Sequence, residues 1–381
     1  MTRRLGIGIV GSGNISAAYL RLAPYFEGVE MRACADVDMA AAQARATEFG
    51  VRASSVAELL AADDIDIVVN LTVPAAHYEV SRAALEAGKH VYSEKPFVLS
   101  VAEGRALAKL AAKKDLRIGS APDTFLGGAH QLARHLIDTG AAGRITGGTC
   151  HVMSRGIEDW HPNPDFFFQP GGGPILDLGP YYIANLVQLI GPVKRVTAMS
   201  SIPSPQRTIG SLPRRGETID VSTPTTIHAV LEFANGALVT LGASWDVVAH
   251  GHAPMELYGT EASLSLPDPN FFGGEVTVAR RDGKPARLPK WAHPLGIPNE
   301  EHDHGTMANY RTAGLADMAQ AILQDRPHRC ALDFALHVVD VMTSILRSGE
   351  TGRFVTLSTT CDQPAALGVK EAQKLLRKAA R

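Results

Sequence analysis

The chain of 381 residues has only four cysteines, Cys34, Cys150, Cys330 and Cys361, all far apart and none in a CxxC pair. That spacing excludes a disulfide framework and suits reduced thiols in a reducing, cytoplasmic compartment. No apolar run approaches the roughly 20 residues needed to cross a bilayer, so no membrane role is expected. Arg3-Arg4 ahead of Leu5–Val10 resembles the start of a signal peptide, but the apolar run is short and leads straight into a glycine turn, so it reads as a first strand. Charge of one sign is also lacking. Lys and Arg number 37 against 39 Asp and Glu, a net of −2 with no long block, and hence no footprint for nucleic acid. There is no internal repeat and no low-complexity tract. What remains is an ordinary globular composition, 45% hydrophobic and 20% charged, in a chain too long for one average core. Two domains are therefore expected.

Residues 1–122 alternate short β-branched runs with alanine-rich helical stretches. Strands are expected over Leu5–Val10, Val29–Cys34, Ile65–Leu71, His90–Tyr92 and Arg117–Ser120, with helices over Ile15–Leu22, Met39–Phe49, His77–Ala87 and Val101–Lys114. This alternation predicts a doubly wound parallel sheet, an α/β fold. Gly88 fits a helix C-cap, and Ser100 an N-cap with Glu103 three residues on. Beyond residue 123 the pattern changes. Gly127–Thr139 still reads as helix, followed by alternating runs at Thr226–Phe233, Ala237–Ser244, Met255–Gly259 and Glu275–Ala279 that suit an antiparallel or mixed sheet. Later helices are expected over Tyr310–Leu323, Phe334–Leu346 and 369–380, the last packing back on the first domain. Residues 203–224, rich in Pro and Ser, read as a surface excursion.

Gly11-Ser12-Gly13-Asn14-Ile15-Ser16 sits between the first strand and the first helix. Gly11 permits a tight turn, Gly13 lets the backbone approach a pyrophosphate, and the small Ser16 takes the third position. The following helix start offers free N–H groups and a positive dipole end. Asp36, at the end of the second strand, is placed to accept ribose hydroxyls and to repel a 2′-phosphate, which favours NAD over NADP. Thr72, Pro74 and His77 follow another strand end and face the same crevice.

Glu94-Lys95-Pro96 lies at the end of the fourth expected strand, at the edge that carries the glycine turn. An ammonium there can stabilise an alkoxide and assist a neighbouring acid. Gly171-Gly172-Gly173 precedes Asp177 and Tyr181, with Pro180 in the first turn of a helix running through Leu189. A free tyrosine, with a pKa near 10, is a poor base at neutral pH, and a nearby ammonium corrects this. Lys95, Asp177 and Tyr181 are the candidate catalytic residues. Glu94 and Lys95 also face the cofactor.

These motifs in this order resemble the Gfo/Idh/MocA family of oxidoreductases. The resemblance implies an N-terminal Rossmann domain over 1–122 and a C-terminal α/β domain over 123–381 with a large open, mostly antiparallel sheet. It implies catalytic roles at Lys95, Asp177 and the position of Tyr181, where many members have histidine. It also implies homodimers or homotetramers that cover the open sheet face.

The substrate pocket is expected near Trp160-His161 and Phe166–Phe168, a Pro-pinned aromatic loop suited to a sugar ring, with Asp123 at the domain junction and Asp246 at a strand end. His250-Gly251-His252 and His302-Asp303-His304 lack a companion at zinc spacing, so no metal is expected. The resulting expectation is an NAD-dependent dehydrogenase of a sugar, glycoside or sugar derivative. An NAD-retaining glycosidase or a dinucleotide-sensing regulator on the same scaffold are the alternatives.

Overall fold

The computed structural model describes residues 3–282, 288–302 and 305–377. The first body contains β1 (Leu5–Val10), α1 (Asn14–Leu22), β2 (Val29–Ala35), α2 (Met39–Phe49), β3 (Arg52–Ser54), α3 (Val56–Ala61), β4 (Ile67–Asn70), α4 (His77–Glu86), β5 (His90–Ser93), α5 (Val101–Lys114) and β6 (Ile118–Ser120). Its strands form one parallel sheet in the order β3-β2-β1-β4-β5-β6. The order reverses between β1 and β4, which opens a ligand crevice at their carboxyl ends. Every residue of β1 and β4 is buried, as helices on both faces require. Ser100 and Glu103 form the expected capping box of α5, and a second, Ser55 with Glu58, starts α3. The β3–α3 pair was not expected, because a three-residue polar edge strand shows no period.

The rest of the chain provides α6 (Gly128–Asp138), β7 (Ile145–Met153), α7 (Pro174–Asp177), α8 (Gly179–Ile190), β8 (Val193–Ser201), β9 (Gln206–Thr208), β10 (Thr218–Asp220), β11 (Thr226–Phe233), β12 (Leu238–Ser244), β13 (Met255–Gly259), β14 (Ala262–Leu266), β15 (Thr277–Arg280), β16 (Glu300–His302), β17 (Gly305–Met307), α9 (Ala313–Gln324), α10 (Leu332–Thr351), β18 (Val355–Thr356) and α11 (Val369–Leu375). Eight strands make a mixed sheet in the order β15-β14-β13-β7-β12-β11-β8-β18, antiparallel at every pair except β7–β12. Helices α6, α8 and α10 cover one face. Alternate residues on the other face are open, among them Met199, Val230, Leu238 and Tyr258.

Several elements differ from expectation. β7 is a central strand although Gly147-Gly148 interrupts it; a Cβ at Gly148 would lie 2.4 Å from the Glu256 carbonyl oxygen, so glycine admits the neighbouring strand. Residues 203–224 do more than run over the surface. They carry the β9–β10 hairpin, which closes a second apolar cluster of Ile157, Phe168, Ile209, Ile219, Val221 and Trp245. The strand expected from Glu275 starts at Thr277, the helix expected from Tyr310 starts at Ala313, and the one expected over 369–380 ends at Leu375; residues 378–381 lie outside the described residues.

The last elements return to the first body. Helix α9 packs against β2 and β6, and α11 against α9. Glu27 N donates to the Leu375 carbonyl (2.8 Å), and Arg377 donates to the carbonyls of Tyr25, Phe26 and Val29 at 2.8, 2.8 and 2.9 Å. Asp317 on α9 is fully buried and pairs with Arg329 at 2.7 Å, which also reaches Glu371 at 2.6 Å.

His130 on α6 illustrates how burial selects a protonation state. Its Nε2 lies 2.8 Å from the Phe271 carbonyl and its Nδ1 lies 3.1 Å from the Asn185 amide nitrogen. One neutral tautomer satisfies both, and a second ring proton would meet the Asn185 N–H. Burial pushes its pKa down to about 4, with the Phe271 carbonyl opposing weakly. Because the folded value lies below the unfolded one, this stability is complete above pH about 6.5 and is lost as pH falls toward about 4. In urea titrations, the drop in unfolding free energy between pH 7 and 4.5 is expected to be about 2–3 kcal/mol smaller in His130→Gln than in the unaltered protein.

Candidate active site

The glycine turn after β1 is shaped by its neighbours. Gly11 has φ +102°, and a Cβ there would sit 2.6 Å from backbone atoms of Leu71 at the end of β4. Above Gly13 the space is open, and α1 begins with no side-chain cap and no acidic residue in its first turn. The amides of Asn14 and Ile15 thus face an uncrowded, positively polarised spot, which fits a pyrophosphate. Asp36 Oδ2 accepts from Ser12 N at 2.7 Å and Oδ1 from Asp38 N at 3.0 Å, so the carboxylate is fixed beside the turn. Ser16 is buried, as the third position requires.

The loop after β4 is organised by Asn70, which motif reading did not single out. Its amide donates to the His77 carbonyl and to Ser81 Oγ, both at 3.0 Å, while its oxygen accepts from Thr72 Oγ1 at 2.7 Å. Thr72 and Pro74 remain at the crevice rim. His77 turns inward. Its Nδ1 lies 2.7 Å from the Pro96 carbonyl and its Nε2 2.9 Å from the Thr72 carbonyl, and the ring is buried. The expected cofactor contact at His77 is therefore replaced by a tie between the loops after β4 and β5.

Glu94 and Lys95 leave the end of β5 in different directions. Glu94 Oε1 accepts from Tyr19 OH and Oε2 from Lys95 N, each at 2.9 Å. Lys95 Nζ crosses to the other body and donates to Asp177 Oδ1 at 2.9 Å and to the Asp177 carbonyl at 2.6 Å. Its ammonium also lies 5.1 Å from the centroid of the Tyr181 ring. Burial works against the charge, but the Asp177 carboxylate and then Tyr181 and Glu94 outweigh it and hold the lysine above its usual value. Asp177 ends the single turn of α7, and Pro180 sits in the first turn of α8 as expected. Tyr182 faces away, toward Asp268, and burial followed by that carboxylate pushes it far up.

The remaining substrate candidates separate. Asp123 is buried, and its Oδ2 accepts the amides of Thr312 (3.1 Å) and Gly314 (2.9 Å); its carboxylate is a brace for the start of α9. Burial raises its pKa to about 6, against the pull of Gly314 N–H and Arg311. Asp246 is bound to Arg207 and accepts from Thr226 Oγ1 at 2.6 Å, with Arg207 also pairing with Glu158 at 2.9 Å. Each of its carboxylate oxygens thus already has a partner within the protein. Trp160 is 66% exposed and meets His161 edge-on at 5.6 Å. His161 in turn meets Phe167 at 5.0 Å, while Phe168 and Trp245 belong to the second apolar cluster. His151 and His252 stack at 4.0 Å, and no group of three ligands suited to a metal occurs among the described residues. A concavity of about 1,710 Å³ lies between the start of β1, α9 and the α11 segment, and none of the candidate site residues lines it.

Motif reading also missed Arg311. It follows β17, at no motif position, and its Cζ lies 6.0 Å from the same Tyr181 ring centroid. Gly11→Ala forces a Cβ into β4 at a positive φ and is expected to weaken dinucleotide binding about tenfold or more, measured by fluorescence titration, with the circular-dichroism spectrum retained.

Comparison with known proteins agrees with this geometry. Residues 5–121 match the model described as oxidoreductase family, NAD-binding Rossmann fold, and residues 130–265 match the GFO/IDH/MocA C-terminal domain. An uncharacterized oxidoreductase of Schizosaccharomyces pombe is 34% identical over 146 residues, only 37% of this chain and 38% of that protein. Levoglucosan dehydrogenase of Pseudarthrobacter phenanthrenivorans is 28% identical over 295 residues, 69% of this chain and 73% of its own. A solved levoglucosan dehydrogenase in complex with NADH superposes with a TM-score of 0.78 at 23% identity, covering 94% of this chain and 100% of that one. The chain, with its NAD-binding Rossmann domain and its mostly antiparallel second sheet, belongs to the Gfo/Idh/MocA family of oxidoreductases.

Proposed function

We propose that the protein is an NAD-dependent dehydrogenase that oxidises a secondary hydroxyl of a sugar, glycoside or sugar derivative. The observation that carries this reading is the convergence of Lys95, Asp177 and Tyr181 across the two bodies, at the strand edge that also bears the glycine turn. The sugar-active relative named above supports the substrate class, and the aromatic loop of Trp160 and His161 is near enough in sequence to Gly171–Gly173 to wall the pocket.

Bound at the glycine turn, NAD⁺ supplies the hydride acceptor. Gly11, Gly13 and the start of α1 would hold its pyrophosphate, and Asp36 its adenosine ribose. Thr72, Pro74 and Glu94 would line the nicotinamide side. Lys95 donates to the reacting oxygen and stabilises the alkoxide that develops on it. Asp177 aims the ammonium and orients the hydroxyl. Tyr181 accepts the hydroxyl proton. Buried free thiols fit a cytoplasmic setting. The open face of the eight-stranded sheet, with Met199 81% and Leu238 53% exposed, would be covered by a second copy of the chain.

Lys95→Met is expected to lower kcat by about a thousandfold or more while changing NADH affinity less than about threefold; turnover within tenfold of the unaltered protein would end the assignment. Net absorbance of reduced cofactor during turnover on a panel of sugars and glycosides distinguishes a dehydrogenase from an enzyme that retains its NAD. Asp36→Ala should lower NADH affinity relative to NADPH by about tenfold. An unchanged ratio in paired titrations would remove the basis for NAD preference.

A further inference from the structure

Tyr181 has two cations over its ring, and only one of them belongs to the family motifs. Lys95 Nζ lies 5.1 Å from the ring centroid and Arg311 Cζ 6.0 Å. The guanidinium does not lie there by accident of a loose side chain. Its Nη2 donates to Asn270 Oδ1 at 2.9 Å and to the Asn270 carbonyl at 3.2 Å, and its Nη1 donates to Asn309 Oδ1 at 3.3 Å.

The backbone that delivers it is strained. Thr312, the next residue, has φ +115°, a conformation in which a β-branched residue is a real outlier. The turn is held by Asp123, whose carboxylate accepts the amides of Thr312 and Gly314. Thr312 Oγ1 is buried and has no hydrogen-bond partner among the described residues. A carboxylate at the end of the Rossmann sheet thus pins a turn that would otherwise relax, and the result of that constraint is the direction of Arg311.

We propose that Arg311 is a positioning residue for proton transfer: with Lys95 it forms a pair of cations that supports Tyr181 in its anionic, proton-accepting form. The inference rests on the reading of Tyr181 as the acceptor. In the step, the carbinol O–H bond breaks and its proton passes to the phenolate oxygen. With NAD bound, the C–H bond would break with its electron pair, the hydride going to the nicotinamide as the C=O bond forms. The phenol later returns its proton to solvent. Residue type matches surroundings here. A phenolate flanked by two cations is favoured before transfer and neutral after it. An imidazole in the same place would become a third cation on accepting the proton and would be opposed.

Four carboxylates also bear on the ring and its two cations. Asp177 faces it through Lys95, Glu94 and Asp123 act on Arg311 from the Rossmann side, and Asp268 faces Tyr182 and Arg311 from the second domain. Asp177 is already paired with Lys95, and Asp123 is engaged by two backbone amides. That leaves Arg311 as the cation whose removal alters the field at Tyr181 without breaking the Lys95–Asp177 pair.

The test uses the full chain as Arg311→Gln and Arg311→Lys, with Tyr181→Phe as reference among the eight tyrosines. Tyrosine ionisation is followed by ultraviolet titration with no sugar present. The component missing from Tyr181→Phe should move to higher pH in Arg311→Gln, as loss of a nearby positive charge in a buried site requires, and return most of the way in Arg311→Lys. With a sugar that is turned over, the alkaline rise of kcat should move by the same amount, with KM changed less than about threefold. An unmoved Tyr181 component overturns the proposal. So does a raised KM with an unmoved pH profile, which would make Arg311 a substrate ligand. If Arg311→Gln fails to fold, judged by circular dichroism and NADH binding, Arg311→Ala and Arg311→Met take its place in the same titration. A shifted component in a protein that oxidises no sugar would uphold this inference and sink the proposed function.

Discussion

The ion pair between Lys95 and Asp177 is the contact on which the rest of the molecule turns. It joins the end of β5 to the end of α7 across the two bodies, through a 2.9 Å side-chain contact and a 2.6 Å bond to the Asp177 carbonyl. With side chains only 17% and 19% exposed, neither charge is well solvated. An ammonium stripped of water is tolerable only with a close counter-charge and further acceptors, and the site supplies both. The pair that makes lysine useful to an oxyanion is therefore also what keeps the two bodies in register at the cleft.

Around it, carboxylates hold backbone more often than they reach outward. Glu94 accepts the Lys95 amide, Asp36 accepts two amides beside the glycine turn, and Asp123 accepts two at the start of α9. Each is a charge-assisted bond to an otherwise unpaired N–H, stronger than a neutral one and directional. The outcome is a cleft whose loops are set before any ligand arrives, as preorganised electrostatics requires.

Much of this was visible in the chain itself, for reasons that differ from place to place. Six-residue β1 with its glycine turn, the capping box of α5 and the Glu94-Lys95-Pro96 strand end are local signals, complete within a few residues. Strands β7 and β8 were hidden because Gly147-Gly148 and Lys194-Arg195 break the alternation, although the tertiary neighbours of each residue explain it. Asp123, His77 and Asp246 carried the right chemistry at the right strand ends, yet their partners are backbone groups or an arginine far away in sequence, and no local pattern announces Thr312, Thr72 or Arg207. Arg311 was unreadable for the same reason. Its meaning lies in a ring 130 residues earlier and in a turn held from the opposite body.

The segment from Pro364 to Arg377 has a mechanical consequence. Arg134 donates to the Pro364 carbonyl, Arg329 to those of Ala365 and Ala366, Gln131 accepts from Leu367 N, and Arg377 stitches onto Phe26 and Val29. The strap therefore grips α6 of the second body and the start of β2 in the first sheet at once. A clam-shell rotation of the bodies would have to shear a whole row of these bonds together. Entry and exit at the cleft thus fall to the short loops that border it, and the frame behind them stays still.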